Sequence, residues 1–202
     1  MPDALKLRLI YLHGFRSSPA SAKGRELAAA AREWGADFFA PDLNLPPLEA
    51  DRVICGLLEP LSAAERRRTL VTGSSLGGFY ALRAARLFGC PAAAVNPCLT
   101  PWDFVPDQVG LQTIFGTDRT LLVEPSFADD FRALAKTAPP APEDPADALL
   151  LLSTADEVLD WRAADRAFPE SPKIILSGDD HRMQRFAECL PAMRGFFERR
   201  MR

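Results

Sequence analysis

The sequence predicts an α/β protein in which a mostly parallel sheet is covered by helices on both faces. Short apolar runs that are typical of buried strands alternate along the chain with longer helical segments. In residues 69–80, TLVTGSSLGGFY, an apolar strand also leads through the pattern Gly-x-Ser-x-Gly directly into a helix. Because crossovers between parallel strands are right-handed, each connecting helix is expected to lie over the sheet.

Length and composition limit the organisation and the partners. The chain has 202 residues, 48% of them hydrophobic, which is enough for one buried core, so residues 1–202 are predicted to form a single domain. A net charge of -3 gives no electrostatic reason to expect binding to nucleic acid or to an anionic membrane. No basic leader is found, and no apolar run approaches the ~20 residues that span a bilayer, so a cytoplasmic location is expected. Two histidines and four scattered cysteines predict neither a metal site nor a disulfide framework.

The first part of the chain predicts two strands and two helices. Residues 5–12 form a mostly apolar run that ends in His-Gly-Phe, as a buried parallel strand does where it reaches a loop. A helix is predicted over residues 20–34 because a glycine follows it, and a short strand over residues 36–40. Residues 48–64 favour a helix that Pro60 kinks or ends early.

The same alternation continues at the centre and near the end of the chain. The patterns there predict strands at 69–73, 91–95, 148–153 and 173–176, and helices at 76–88, at 161–168 and from the last loop to residue 199.

The alternation lapses over residues 98–148. This segment contains several prolines, and it predicts a hairpin around residues 116–118 and a helix over residues 126–135. Because it is too long for a simple connection, we interpret it as a cap-like insertion over the active site. Its apolar residues are expected to be divided between the roof of a small acyl site and the anchoring of the insertion: Trp102, Phe104, Ile114, Phe115, Leu121 and Leu122.

Ser75, at the centre of the Gly-x-Ser-x-Gly pattern, is the predicted nucleophile. The turn between strand and helix is so sharp that its central residue is held in a strained backbone conformation, for which Gly73 and Gly77 leave room. The amide of Leu76, at the helix N-terminus, then points to where an oxyanion would form. Ser74 also carries a hydroxyl, but it does not occupy the centre of the pattern.

A serine nucleophile needs a base and a third group that orients the base. Only His13 and His181 can supply an imidazole. In sites built on such a turn, the partners follow in the order serine, acid, histidine at the ends of strands, and this order selects His181. Asp156 follows a strand of four leucines and is the predicted acid; Glu157 and Asp160 stay as alternatives in the same loop.

The loop after the first strand is predicted to complete the oxyanion hole. The sequence His13-Gly14-Phe15 places the backbone amide of Phe15 as the second donor. The imidazole of His13 would then stabilise this loop, and a purely structural His13 would leave the mechanism unchanged. Cys98 has no histidine pattern near it and is interpreted as a packing residue.

Five short motifs follow one another along the chain. They are Tyr11-Leu12-His13-Gly14-Phe15 with Ser17-Ser18-Pro19, GSSLGGFYA at 73–81, Asn96-Pro97, TADEVLD at 154–160 and Gly178-Asp179-Asp180-His181. This set resembles the small bacterial YqiA-like esterases of the α/β-hydrolase superfamily over nearly the whole chain. The resemblance implies a minimal α/β-hydrolase that lacks the first antiparallel strands of the superfamily, acts on short acyl esters and uses no cofactor.

Carried over residue by residue, the resemblance makes Ser75 the nucleophile, Asp156 the acid and His181 the base. The sequence departs from the expected pattern at Arg16, where a small polar residue is expected, and at Arg182-Met183, where a more apolar pair is expected. These departures bear on the choice of substrate more than on the chemistry.

The predicted function is therefore hydrolysis of a small-molecule carboxylic ester by a serine esterase. A thioesterase or an acyltransferase with the same three residues differs only in the leaving group or the acceptor. A binding protein without catalytic activity on the same fold is the alternative from another class, because fold alone does not establish activity.

Overall fold

A computed structural model describes residues 6–201 of the chain, and its central feature is a six-stranded β-sheet. Residue 5, where the first strand is predicted to begin, and the N-terminal residues 1–3, which entered the prediction of location, lie outside the described residues. In chain order the elements are β1 (Leu7–Leu12), α1 (Ala22–Trp34), β2 (Ala36–Phe39), α2 (Pro47–Leu58), α3 (Ala63–Arg67), β3 (Thr69–Ser74), α4 (Leu76–Phe88), β4 (Ala92–Val95), α5 (Pro101–Phe104), β5 (Gly110–Thr113), β6 (Thr120–Val123), α6 (Phe127–Thr137), β7 (Ala148–Ser153), α7 (Trp161–Ala167), β8 (Lys173–Leu176) and α8 (Leu190–Arg200).

The strand order in the sheet is β2-β1-β3-β4-β7-β8, and every neighbouring pair in it is parallel. In the register of β1 and β3, Leu9 lies beside Leu70 and Tyr11 beside Thr72. All strands therefore end at the same edge of the sheet, where their loops meet. The prediction of a mostly parallel sheet is confirmed.

Both faces of the sheet are covered, as the alternation of side chains along β1 shows. Leu9 and Tyr11 pack in one cluster with residues of α1 and α8. Ile10 and Leu12, which point to the other face, pack with residues of α2, α4 and α6. Because the central strands are buried on both faces, their sequences are mostly apolar and show no strict alternation with polar residues.

The predicted helix over residues 48–64 is two helices in the structure. The chain leaves α2 before Pro60, as the missing N–H of proline predicts. It then starts α3 behind Ser62, whose Oγ accepts a hydrogen bond from the Glu65 amide while Glu65 Oε2 accepts one from the Ser62 amide. This capping box fixes the new start. The closing helix α8 begins only at Leu190, because a single 3₁₀ turn precedes it.

The segment between β4 and β7 contains its own small elements. The predicted hairpin around residues 116–118 is present as β5 and β6, with Leu111 opposite Leu122. The predicted helix over residues 126–135 is present as α6. No helix within residues 6–201 is long and apolar enough to cross a membrane.

A buried arginine on α4 fastens this segment to the rest of the protein. The guanidinium of Arg83 donates to both carboxylate oxygens of Asp51 on α2, at 2.9 and 3.2 Å. It also donates to the carbonyls of Leu134 and Ala138 at the end of α6. Removing one partner of such a buried pair costs about 3–5 kcal/mol because the other charge is left buried and unpaired, so the packing of α2 against α4 and α6 needs both Arg83 and Asp51. The single-domain organisation of residues 1–202 stays a prediction.

Candidate active site

Ser75 lies at the sharp turn between β3 and α4, with φ 54° and ψ -117°. A side chain other than glycine in such a region costs about 1–3 kcal/mol and persists only where its surroundings impose it. Here the Ser75 amide donates to the Val95 carbonyl at 2.9 Å, and the Ser75 carbonyl accepts from the amides of Gly78 and Cys98 at 2.9 and 3.0 Å. Hydrogen bonds on both sides thus hold the strained residue at the edge of the sheet.

The two glycines of the pattern allow α4 to begin directly over the end of β1. A Cβ on Gly77 would lie 1.9 Å from the carbonyl oxygen of Leu12, and a Cβ on Gly73 would lie 2.0 Å from the carbonyl oxygen of Gly77. Neither contact can exist, so only glycine fits at these positions. The close approach brings the amide of Leu76 to the loop that follows β1.

That loop passes directly beside the candidate nucleophile. A Cβ on Gly14 would lie 3.3 Å from the Cβ of Ser75 and 3.1 Å from the carbonyl oxygen of Ser74. The next amide belongs to Phe15, and within residues 6–201 it donates to no protein acceptor. The amide of Leu76 is the first of α4 and has no partner inside the helix. One unpaired N–H donor therefore directly follows Ser75, and a second belongs to the residue after Gly14, which packs against Ser75. An oxyanion hole needs two such donors.

The imidazole of His13 holds the same loop. It is 2% exposed, its Nε2 accepts a hydrogen bond from the Leu43 amide at 2.8 Å, and its Nδ1 lies 2.9 Å from the Gly14 carbonyl. Burial lowers the pKa of His13 by more than the Gly14 carbonyl and the carboxylate of Asp42 raise it. The ring is therefore neutral at pH 7 and donates from Nδ1 to Gly14, while the bond that Nε2 accepts from Leu43 ties this loop to the one that follows β2.

Asp156 and His181 form a hydrogen-bonded pair at the ends of β7 and β8. Oδ2 of Asp156 lies 2.8 Å from Nδ1 of His181, while Oδ1 accepts from the amides of Val158 and Leu159, both at 2.8 Å. The carboxylate is 1% exposed. Burial raises the pKa of Asp156, but the hydrogen bonds from His181 and from the two amides together lower it by more. The pKa therefore lies below the ordinary value for an aspartate. Asp156 is thus an ionised acceptor at neutral pH.

The two alternative acids have other partners. Glu157 Oε2 accepts from the backbone amide of His181 at 3.0 Å and does not contact the ring. Asp160 caps the N-terminus of α7, where its Oδ1 accepts from the amide of Arg162 at 3.0 Å. Of the three carboxylates in this loop, Asp156 is the one bonded to the imidazole.

Asn96, which the sequence indicated only as part of the Asn96-Pro97 motif, holds the loop of His181 in position. It follows β4 with φ 41° and is 3% exposed. Its Nδ2 donates to Ser153 Oγ at 3.0 Å and to the carbonyl of His181 at 3.1 Å, and its Oδ1 accepts from the Ser153 amide at 2.8 Å. The carboxamide therefore links the ends of β4 and β7 to the loop of His181. An Asn-Pro pair at the end of a central strand is the signal that could have revealed it.

Ser75 and His181 are brought to the same edge of the sheet but are not hydrogen-bonded within the described structure. Val95, which accepts from the Ser75 amide, directly precedes Asn96, which holds the His181 loop. The two candidate residues are therefore connected through the end of β4. Catalytic hydrogen bonds in general are often long or poorly aligned in structures without substrate and shorten only when substrate binds, so the missing contact does not rule out a nucleophile and base pair.

A narrow, largely apolar cleft of about 20 Å³ is lined by Phe15 and Leu76, the residues of the two free amides. The insertion supplies six of the side chains that line it, which are Phe104, Val105, Gln108, Leu121, Phe127 and Phe131. Of the six apolar residues expected to be divided between roof and anchor, Phe104 and Leu121 line the cleft, and Trp102 is partly buried and packs against the core. Phe115 and Leu122 are mostly exposed instead, and Ile114 is buried as an anchor.

Cys98 lies next to the turn of Ser75, where its backbone amide donates to the Ser75 carbonyl at 3.0 Å. Burial raises the pKa of the Cys98 thiol to about 11, so this cysteine stays protonated at neutral pH. Within residues 6–201 no group of three or more His, Cys, Asp or Glu side chains is arranged to hold a metal ion.

Comparisons with known proteins agree with this architecture. A family model described as an uncharacterised protein family, UPF0227, matches residues 8–198. Est1E from Butyrivibrio proteoclasticus superposes with a TM-score of 0.69 at 16% identity, over 98% of this chain and 90% of that chain. Alpha/beta hydrolase domain-containing protein 10 from mouse gives 0.68 at 15% identity, over 95% and 89% of the two chains. The structure described for the metagenome-derived lipolytic enzymes LipS and LipT gives 0.65 at 17% identity, over 96% and 94%. At these identities the likeness shows the fold, and it confirms the predicted α/β-hydrolase architecture.

Proposed function

The chain belongs to the uncharacterised protein family UPF0227, and we propose that it is a serine carboxylesterase that hydrolyses short-chain esters through an acyl-enzyme. The observation that carries this proposal is the 2.8 Å hydrogen bond between Asp156 and His181, at the sheet edge where Ser75 is held with φ 54°. A buried carboxylate on Nδ1 of an imidazole, at the same sheet edge as a strained serine, supplies the groups that activate a serine hydroxyl when the imidazole contacts it. The names of two structural neighbours, a hydrolase and a pair of lipolytic enzymes, agree with the proposal.

In the first half-reaction, Ser75 Oγ attacks the carbonyl carbon of the ester and its proton passes to Nε2 of His181. The carboxylate of Asp156 accepts from Nδ1, which fixes the tautomer whose Nε2 is free to take that proton. It also stabilises the imidazolium that forms. The amides of Phe15 and Leu76 donate to the oxygen that becomes negative in the tetrahedral intermediate. His181 then returns the proton to the leaving alcohol as the carbon–oxygen bond breaks.

In the second half-reaction, water takes the place of the alcohol. His181 accepts one proton of the water as its oxygen attacks the acyl-enzyme, and it returns the proton to Ser75 Oγ when the acid leaves. The same two amides stabilise the second oxyanion. The described residues supply the acid, the base and the donors that this chemistry requires.

The narrow cleft beside the amides favours small acyl groups. The leaving oxygen must face His181 to receive its proton, whereas the cleft contains Phe15 and Leu76 but not His181. The acyl chain is therefore expected to enter the cleft. A cavity of about 20 Å³ has room for about one water molecule, so a long chain would have to displace aromatic side chains of the insertion.

The experiment that tests this proposal combines labelling with substitution. A fluorophosphonate probe should modify Ser75, identified by mass spectrometry of the labelled peptide, and Ser75→Ala should abolish both labelling and hydrolysis of p-nitrophenyl butyrate. Ser74→Ala is the matched control, and it should still be labelled. Labelling at another serine, or full activity of Ser75→Ala with an unchanged melting temperature, would contradict the proposal. Parallel assays with butyryl thioesters separate an esterase from a thioesterase.

A further inference from the structure

Arg16 is a cation at the rim of the acyl cleft that the proposed chemistry does not use. It directly follows Phe15, lines the cleft and has φ 58°, a conformation that favours glycine. A large charged side chain at such a position indicates that the side chain, and not the backbone alone, has a role.

The side chain of Arg16 is fixed by the hairpin of the insertion. Its Nε donates to the Thr113 carbonyl at 2.7 Å, and its guanidinium lies 4.5 Å from the ring centroid of Phe115. The Arg16 carbonyl in turn accepts from the Phe115 amide at 2.8 Å. The guanidinium is thus oriented before any ligand arrives, which reduces the entropy lost on binding.

The outer part of the guanidinium has no protein partner. Among residues 6–201, neither Nη atom of Arg16 donates to an acceptor, and no carboxylate lies within 4.0 Å. The nearby carboxylate of Asp42 is already paired with Arg119 at 2.8 Å and with the side-chain amide of Asn44. The four N–H bonds of the two Nη groups are therefore free on an oriented cation that lines a largely apolar cleft.

We propose that Arg16 is a specificity residue that binds a carboxylate at the far end of the acyl group. This inference rests on the proposed esterase function, and it assigns the substrate class as monoesters of short dicarboxylic acids. The ester carbonyl would lie at the amides of Phe15 and Leu76, the methylenes would lie along the open entrance of the cleft, outside its enclosed volume of about 20 Å³, and the free carboxylate would accept from the Nη groups of Arg16. Guanidinium and carboxylate match in geometry and charge, so this contact distinguishes an anionic acyl group from a neutral one.

The test uses pairs of esters that differ only in charge. Monomethyl glutarate and monomethyl adipate are compared with the methyl esters of the corresponding monoamides, which have the same shape, by measuring the release of methanol. The wild type should favour the carboxylate over the amide, and Arg16→Gln should lower this ratio of kcat/KM about tenfold, mainly through KM, because the contact is made equally in the ground state and in the transition state. Arg16→Lys, which keeps the charge, should retain part of the preference.

Arg25→Gln is the matched control, because it removes the same charge from an exposed site on α1. It should leave the ratio unchanged. If Arg16→Gln lowers the turnover of both esters equally, Arg16 only tethers the loop to the hairpin and the proposal is wrong. The proposal is also wrong if Arg25→Gln changes the ratio as much as Arg16→Gln does.

A binding measurement separates this inference from the proposed function. In Ser75→Ala, which cannot form an acyl-enzyme, monomethyl glutarate should bind about tenfold more tightly than in Ser75→Ala/Arg16→Gln, as followed by NMR titration. If the wild type hydrolyses no ester but this difference is present, the esterase proposal fails while the carboxylate site stands. Equal affinities of the two variants would overturn the role of Arg16.

Discussion

Replacing Asp156 by asparagine should leave the loop in place and remove most of the activity. Oδ1 of the new side chain can still accept from the amides of Val158 and Leu159, which Oδ1 of the carboxylate does now at 2.8 Å. The amide group would then face Nδ1 of His181, where Oδ2 lies now. Because the loop keeps its hydrogen bonds, the free energy of unfolding should change by only about 1 kcal/mol.

The loss of activity follows from the tautomer of the imidazole. An amide N–H facing Nδ1 requires a lone pair there, so the proton of the neutral ring moves to Nε2. In that form Nε2 cannot accept the proton of Ser75. Neutralising the aspartate of a serine triad in this way costs ~10⁴ in turnover in a protease, which corresponds to about 5.5 kcal/mol of activation free energy. We expect a loss of the same order here.

The assay is kcat/KM for p-nitrophenyl butyrate, with thermal unfolding of each variant as the check on folding. Glu157→Gln and Asp160→Asn are the matched controls from the same loop, and each should lose less than about tenfold in activity. Asp160→Asn should also keep its stability, because asparagine caps a helix about as well as aspartate. If Asp160→Asn or Glu157→Gln proves more damaging than Asp156→Asn, the assignment of the acid is wrong.

Other predictions follow from the cleft, from His13 and from the glycines. The enzyme should hydrolyse p-nitrophenyl butyrate with a higher kcat/KM than p-nitrophenyl palmitate, both measured below the micelle threshold. The reason is that a cleft of about 20 Å³ cannot bury a long chain. A preference for the palmitate would contradict this prediction. Burial lowers the pKa of His13 in the folded protein, so below pH ~6.5 this histidine binds more protons in the unfolded chain than in the folded one. The free energy of unfolding should therefore decrease as the pH falls below ~6.5, by up to ~1.4 kcal/mol per pH unit. Urea unfolding between about pH 7 and pH 5 measures this slope, and His13→Asn should lack it. Gly77→Ala should prevent normal folding, because its Cβ would lie 1.9 Å from the Leu12 carbonyl oxygen. Gly56→Ala in α2 is the control: its Cβ meets nothing within 4 Å, and the free energy of unfolding, measured by thermal unfolding, should rise by about 0.5–1 kcal/mol.

Local patterns were sufficient for the order and type of most elements. β7, β8 and α4 have the predicted bounds, because a run of leucines between turn residues and an apolar helix that begins after Gly-x-Ser-x-Gly are signals contained in a few neighbouring residues. The point where the predicted helix over residues 48–64 ends was less certain from the sequence. Pro60 indicated a break, but the capping box at Ser62 decided where the chain becomes helical again.

Some of the candidate site residues also follow from local sequence patterns, whereas others do not. Ser75 and His181 follow from the sequence by itself, because one serine occupies the centre of the turn and only two histidines exist in the chain. The choice among Asp156, Glu157 and Asp160 was not determined in this way. All three carboxylates lie within five residues, and which one reaches the imidazole depends on how the loops after β7 and β8 pack against each other.

The sequence by itself determined the α/β class, the order of the strands along the chain and the pattern that places a serine at a strained turn. These properties depend on backbone preference and on the burial of apolar runs, which neighbouring residues encode. Only the tertiary structure decided that Asn96 holds the loop of His181 and that the guanidinium of Arg16 lies over Phe115 at the mouth of the cleft. Such contacts join residues about 85 to 100 positions apart, and they form only because parallel strands bring their loops to one edge of the sheet, where the insertion then packs over them.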